Sequence, residues 1–225
     1  MHEARVLVYN GAGFEPWIQR TLGTLPVGVI RVNATDGIAL ATVTSGDQRG
    51  RRDPHVWTDP VLAQRMVDNV LAGLLRADPE GRAVYEANTA GYKGQLAALH
   101  DRFVRTLAPC RKKVFVVNHY AFGYLASRYG LTQIAVSGLE PEAEPSPAKL
   151  REILRVIRRH NIRVIYYETL ASPRVANTLA REAGARTLVL NPLEGLTDQE
   201  LQQGKNYVSV MEDNLRSLVQ GLDCP

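Results

Sequence analysis

Little in this chain of 225 residues points to nucleic acid, to a membrane or to a cysteine-held scaffold. It has two cysteines, Cys110 and Cys224, far apart in sequence. They do not follow metal-site spacing such as C-x-x-C. Cys110 falls just before a predicted strand and Cys224 after the last predicted helix. Either they are two unrelated thiols or, in an oxidising compartment, they pair, which requires Cα atoms within roughly 7 Å. No apolar run approaches the ~20 residues that a membrane span needs. The net charge is only +4. Basic residues are scattered apart from Arg49-Gly50-Arg51-Arg52 and Arg111-Lys112-Lys113. A nucleic-acid binder shows a basic stripe, interleaved aromatics or a known module, so that class is set aside. An export signal is also missing. Met1-His2-Glu3-Ala4-Arg5 runs straight into Val6-Leu7-Val8-Tyr9, without the basic segment, apolar core and small-residue cleavage site of a secretory leader.

What remains is an ordinary globular composition. Apolar residues make up 45% of the chain, enough for packed cores, and the length suits one large or two small domains. Short β-branched runs at 6–9, 29–32, 113–118, 133–136, 164–167 and 187–190 read as strands. Helical patterns alternate with them. Phe14 to Leu22 reads as a short helix. Asp59-Pro60 opens a longer one, with Asp as N-cap and Pro in the first turn. Asp78-Pro79 starts another that runs to Leu107, with Tyr92, Leu96, Leu99, Phe103 and Leu107 on one face. His119 to Tyr129 reads as a helix ended by Gly130. Ser146-Pro147 and Ser172-Pro173 cap two more. Thr197 and Glu200 form a capping-box pattern ahead of a final helix carrying Met211, Leu215, Leu218 and Leu222. Residues 36 to 52 are polar, Gly-rich and aperiodic, and read as a flexible loop. Strands alternating with helices predict α/β architecture with parallel sheets covered on both faces.

Of the five histidines, two stand out. His55 lies in Asp53-Pro54-His55-Val56-Trp57, and His119 in Phe115-Val116-Val117-Asn118-His119-Tyr120-Ala121-Phe122-Gly123-Tyr124. Each falls at a junction before a helix, where a side chain can point into a cleft, and neutral imidazole is the commonest metal-binding side chain near pH 7. The words around them resemble the zinc and manganese solute-binding proteins of ABC importers. So do Tyr9-Asn10-Gly11-Ala12-Gly13-Phe14-Glu15, Glu142-Ala143-Glu144-Pro145-Ser146-Pro147 and Leu190-Asn191-Pro192-Leu193-Glu194-Gly195-Leu196-Thr197, all in the family's order.

That resemblance implies a two-lobed α/β receptor whose parallel sheets are joined by a long rigid helix. The divisions are a partial N-terminal lobe at 1–78, a connecting helix at 79–110 and a C-terminal lobe at 111–225. Relatives carry a signal and two further strands and a helix before the segment matching Val6, so the first lobe is expected to be incomplete. The implied role is to capture Zn²⁺ between the lobes and deliver it to an ABC permease, as a monomer, in the periplasm or at the cell surface. The expected metal ligands are His55 and His119. His119 stands where manganese-type members have Glu, which favours Zn²⁺ over Mn²⁺. Glu168 and Asn191, each ending a strand near the cleft, are read as supporting residues or weak ligands. Asn191 would orient a ring or a water, and Glu168 would pair with an arginine or, less favoured, bind the metal. Trp57 is expected against the interdomain helix. Glu140, Glu142 and Glu144 read as a solvated acidic loop, and His100 and His160 as surface residues. His2 lies at the far end of its strand from the cleft. With two nitrogen ligands where zinc prefers four, the site is expected to be completed by Glu168, Asn191, water or an anion, and to bind weakly. The alternatives are a manganese or iron receptor of the same family, a metallohydrolase with Glu168 as base, and a remnant that no longer binds metal. No H-E-x-x-H pair or nucleophile elbow supports the hydrolase.

Overall fold

The computed structural model describes residues 4–43, 49–140 and 145–225. Its first unit begins with strand β1 (Val6–Tyr9), crosses over through helix α1 (Ile18–Thr24) and returns as β2 (Ile30–Asn33). The two strands pair in parallel, Val6 opposite Ile30 and Tyr9 opposite Asn33. Helix α2 (Pro60–Ala77) lies across them. Asp59 caps it, its side chain accepting from the Val61 N–H at 2.8 Å. Gly73 marks a close approach, since a β-carbon there would stand 2.1 Å from the Val32 Cγ2. After a 3₁₀ turn at Pro79–Gly81, helix α3 (Arg82–Leu107) packs on α2 through one part of its length and on the C-terminal helix through another. Leu96, Leu99, Phe103 and Leu107 on its predicted face are fully buried.

The second unit is a four-stranded parallel sheet in the order β4-β3-β5-β6, formed by β3 (Val114–Val117), β4 (Thr132–Ala135), β5 (Val164–Tyr167) and β6 (Arg186–Val189). Helices α4 (Gly123–Arg128), α5 (Pro147–Arg159) and α6 (Arg174–Ala183) are the crossovers. The period-2 alternation of a strand splits its core into two layers. Phe115, Val117, Val164 and Tyr166 join α3, α4 and the C-terminal helix on one face. Val116 and Ile165 meet Ile153, Ile157, Ala176 and Leu179 of α5 and α6 on the other. The mixed α/β class with parallel sheets and a long helix is as expected.

Four elements differ from the sequence reading, the first being α1, which begins at Ile18 and not at Phe14. The helix expected from His119 spans only Gly123–Arg128; the residues before it are not helical, and the Tyr120 N–H donates to the Gly138 carbonyl. The final helix is two: α7 (Asp198–Gln202) carries the Thr197–Glu200 capping box, Gly204 breaks the chain, and α8 (Tyr207–Gly221) starts afresh with a second box between Asn206 and Ser209. In the segment read as a loop, Thr42 and Arg52 form an antiparallel bridge and the Val43 N–H donates to the Arg51 carbonyl; residues 44–48 lie outside the described set. Cys110 and Cys224 are disulfide-bonded, with Cα atoms 4.0 Å apart. The bridge forms where α8 returns to the start of β3 and the Lys112 N–H donates to the Leu222 carbonyl.

Candidate metal site

In open parallel sheets the ligand crevice lies beyond the carboxyl ends of the strands. His119 follows β3, Glu168 follows β5 and Asn191 follows β6, so three strand ends deliver three polar side chains to one edge. All three are buried. From the other unit, His55 arrives on the turn before α2. Its ring is 1% exposed and that of His119 is 0%. The two Nε2 atoms face each other at 3.4 Å.

A third residue completes the cluster. Glu194 Oε1 lies 3.0 Å from His55 Nε2 and 2.9 Å from His119 Nε2. His55, His119 and Glu194 form a group whose candidate ligand atoms all lie within 4.8 Å of one another. Glu194 stands in the Asn191–Gly195 segment quoted above, but no local signal marked it as a donor. Its position depends on the turn. Asn191 Oδ1 accepts from the Leu193 N–H at 2.8 Å, and Leu193 adopts a left-handed φ of 62°, which swings the next side chain back over the strand ends. Asn191 is itself held by Asn214, which accepts from its N–H at 2.8 Å and donates to its carbonyl at 2.7 Å. Asn191 Oδ1 therefore shapes the turn, where the sequence suggested that it would orient a ring or a water.

Each ring is aimed from behind. His55 Nδ1 lies 2.7 Å from Asp53 Oδ1, which also accepts the His55 backbone N–H at 3.0 Å. His119 Nδ1 lies 2.5 Å from Glu168 Oε1. Glu168 thus pairs with a histidine, where sequence suggested an arginine. These carboxylates fix Nδ1 as the protonated nitrogen and leave Nε2 to face the cluster. Asp53 sits against Gly123, where a β-carbon would stand 2.8 Å from its Oδ2.

The segment carrying His55 is tied to the second unit by side-chain hydrogen bonds. The Tyr124 hydroxyl donates to the Asp53 carbonyl at 2.7 Å and accepts from the Ala41 N–H at 2.9 Å. Arg128 Nε donates to Asp59 Oδ2 at 2.8 Å. Trp57, expected against the connecting helix, is held beside the site. Its Nε1 donates to the Pro192 carbonyl at 2.7 Å, and its ring meets Phe14 and His55 at centroid distances of 5.0 and 5.3 Å. Its own carbonyl accepts from the Tyr207 hydroxyl at 2.7 Å.

Electrostatics follow from this packing. Burial disfavours charge on the His119 ring, but hydrogen bonds to Glu168 and Glu194 outweigh it and raise its pKa to about 9. At His55 burial likewise disfavours charge, but hydrogen bonds to Asp53 and Glu194 outweigh it and raise the pKa. For Glu194 burial would raise the pKa, yet the two rings hold it down at about 2. Glu194 thus accepts hydrogen bonds from the two Nε2–H groups, whose protons a metal would displace.

Other expected residues fall elsewhere. His100 is half-buried and not a plain surface residue, with Nδ1 3.1 Å from the Tyr129 hydroxyl. His160 is exposed. Glu140 pairs with Arg51 at 2.6 Å on the surface. His2, Glu142 and Glu144 lie outside the described residues.

Two imidazoles and one carboxylate, converging at the mouth of a parallel sheet, have the composition of a site for a divalent transition metal. The family model described as zinc-uptake complex component A, periplasmic, matches residues 1–221, and the chain belongs to that family. It is 38% identical to the high-affinity zinc uptake system protein ZnuA of Bacillus subtilis over 99% of this chain and 73% of that protein. It is also 38% identical to the zinc-binding lipoprotein AdcA of Streptococcus pneumoniae, again over 99% of this chain but only 47% of the longer relative. The Zn(II)-bound ZnuA-like domain of that AdcA superposes with a TM-score of 0.84 at 39% identity, covering 99% of this chain and 81% of the other.

Proposed function

We propose that this chain is the substrate-binding component of a zinc importer, which takes up Zn²⁺ on His55, His119 and Glu194 and hands it to an ABC permease. The observation that carries this reading is the spacing of the three donor atoms. Zinc binds imidazole nitrogen at about 2.0–2.1 Å, so two tetrahedral ligand atoms stand about 3.4 Å apart, and the two Nε2 atoms are separated by 3.4 Å. An ion about 2.05 Å from all three atoms lies about 1 Å out of their plane, leaving its outer side for water or a fourth ligand. The sequence suggested two ligands and weak binding; Glu194 adds a third, and a charged one.

Two nitrogens in three donors favour zinc over manganese, which prefers carboxylate oxygen. Zinc is cargo in this reading, and the chain carries out no reaction. The Cys110–Cys224 bridge supports an oxidising location, the periplasm or the cell surface. No helix among the described residues is long and apolar enough to cross a membrane. Titration calorimetry with Zn²⁺ tests the proposal. The unmodified chain and His160→Ala should bind alike, and His119→Ala should lose the specific site. If His119→Ala binds zinc as tightly as the unmodified chain, the assignment fails.

A further inference from the structure

Residues 145–189 carry nine lysines and arginines against three acidic residues, although the whole chain has a net charge of only +4. One of those three acids, Glu168, is buried against His119. The segment forms α5, β5, α6 and β6, and its two helices cover one face of the second sheet. Arg151, Arg155, Arg158, Arg159, Arg163 and Arg181 are all exposed, and none forms an ion pair among the described residues. Spacings of three, four and seven put Arg151, Arg155 and Arg158 on one side of α5. Between α5 and α6 runs an apolar groove of about 250 Å³, lined by Leu150, Leu154, Val175 and Leu179, with Arg151, Arg174 and Glu182 at its rim. Uncompensated guanidinium groups repel one another, so holding them on one face is a cost that an anionic partner removes.

We propose that the α5–α6 face docks on an anionic phospholipid surface. Guanidinium groups pair with phosphate in a planar, two-pronged geometry, and the apolar groove beside them suits the acyl region just beneath the headgroups. A purely polyanionic partner would use the arginines and leave the groove idle. The face also stands apart from the site. The metal cluster lies at the carboxyl edge of the sheet, whereas α5 and α6 cover its flat side, so docking leaves the crevice open to the medium. The inference is independent of the zinc reading.

The test uses the full chain and phosphatidylcholine vesicles with or without about one third phosphatidylglycerol. Co-sedimentation should occur with the anionic vesicles only and weaken as salt is added. Each arginine near such a surface is worth about fivefold in affinity, so the triple variant Arg155→Glu, Arg158→Glu, Arg159→Glu should bind on the order of 100-fold more weakly. The variant Arg65→Glu, Arg76→Glu, Arg105→Glu changes net charge equally but on α2 and α3, and should lose less than about fivefold. Equal binding to neutral vesicles overturns the proposal, and that arm needs no variant. Equal loss in the two triple variants also overturns it, as does capture by soluble dextran sulfate without capture by vesicles.

Discussion

Removal of Glu194 probes the site most directly, because this residue bridges both rings. A zinc ion on four protein ligands gains roughly 10–16 kcal/mol near neutral pH, or about 3 kcal/mol per ligand. Glu194→Ala should therefore weaken zinc binding on the order of 100-fold. A second effect opposes this one. Glu194 is one of the two carboxylates that raise the His119 pKa to about 9. At pH 7 an incoming ion must displace a proton held about two pH units too tightly, a handicap of about 100-fold. Without Glu194 part of that handicap disappears. The loss should thus be fully visible at pH 9 and smaller at pH 7. Glu194→Gln keeps the shape and offers a weak amide oxygen, so it should fall between alanine and the unmodified chain. Glu168→Gln, which alters only the acceptor behind His119, should cost about 10–100-fold. Competition against a chromogenic zinc chelator at both pH values measures all of these. If Glu194→Ala binds as tightly as the unmodified chain at both, while His119→Ala loses the site, Glu194 is not a ligand and the third donor must be sought elsewhere.

Proton linkage makes a prediction about the ion-free protein. The His119 pKa is raised, so its stabilising contribution is complete below about pH 6.5 and lost as pH rises through about 9. The Glu194 pKa is depressed to about 2, so its contribution is complete above about 4.5 and lost as pH falls toward 2. Thermal melts should show a plateau between about pH 4.5 and 6.5, and zinc should raise the melting temperature more at pH 9 than at pH 6. Gly73→Ala places a β-carbon 2.1 Å from a methyl of buried Val32. Despite the better helix propensity of alanine it should destabilise by about 1–3 kcal/mol in urea melts, with Val32→Ala restoring part of the loss. Reduction of the Cys110–Cys224 bridge, which spans 114 positions, should cost about 2–4 kcal/mol. It should leave zinc affinity unchanged, because the bridge lies at the amino end of β3, opposite the site.

The legible parts of the fold are those where one local rule decides. The α5 and α2 starts follow from Ser146-Pro147 and Asp59-Pro60, and both side chains cap as those pairs imply. The buried stripe of α3 follows from helical spacing. The illegible parts are those where two local rules compete or tertiary contacts override them. Residues 119–122 have a helix-compatible composition, but the Tyr120 N–H donates to the Gly138 carbonyl across the strand ends, and that bond delays the helix to Gly123. Near the C-terminus the Thr197 box is a real start signal, yet Gly204 in a left-handed conformation and a second box at Asn206 divide the pattern.

The site shows the same division. His55 and His119 were visible because each falls at a junction before a helix and the words around it resemble the family's. Glu194 was not, because it is one of 23 acidic residues, and what singles it out is the reversal at Leu193. A positive φ at leucine costs energy and cannot be read from the letters Asn-Pro-Leu-Glu-Gly. It becomes intelligible only through Asn191, whose side chain accepts the Leu193 N–H while Asn214 holds its backbone. Asn214 in turn is a buried polar residue on α8, the helix whose Tyr207 also donates to the Trp57 carbonyl. The third donor is therefore positioned by a chain of contacts from the C-terminal helix through the end of β6 to a strained turn. Two of the three donor positions rest on local words, and the third rests on packing among segments that only the folded chain brings together.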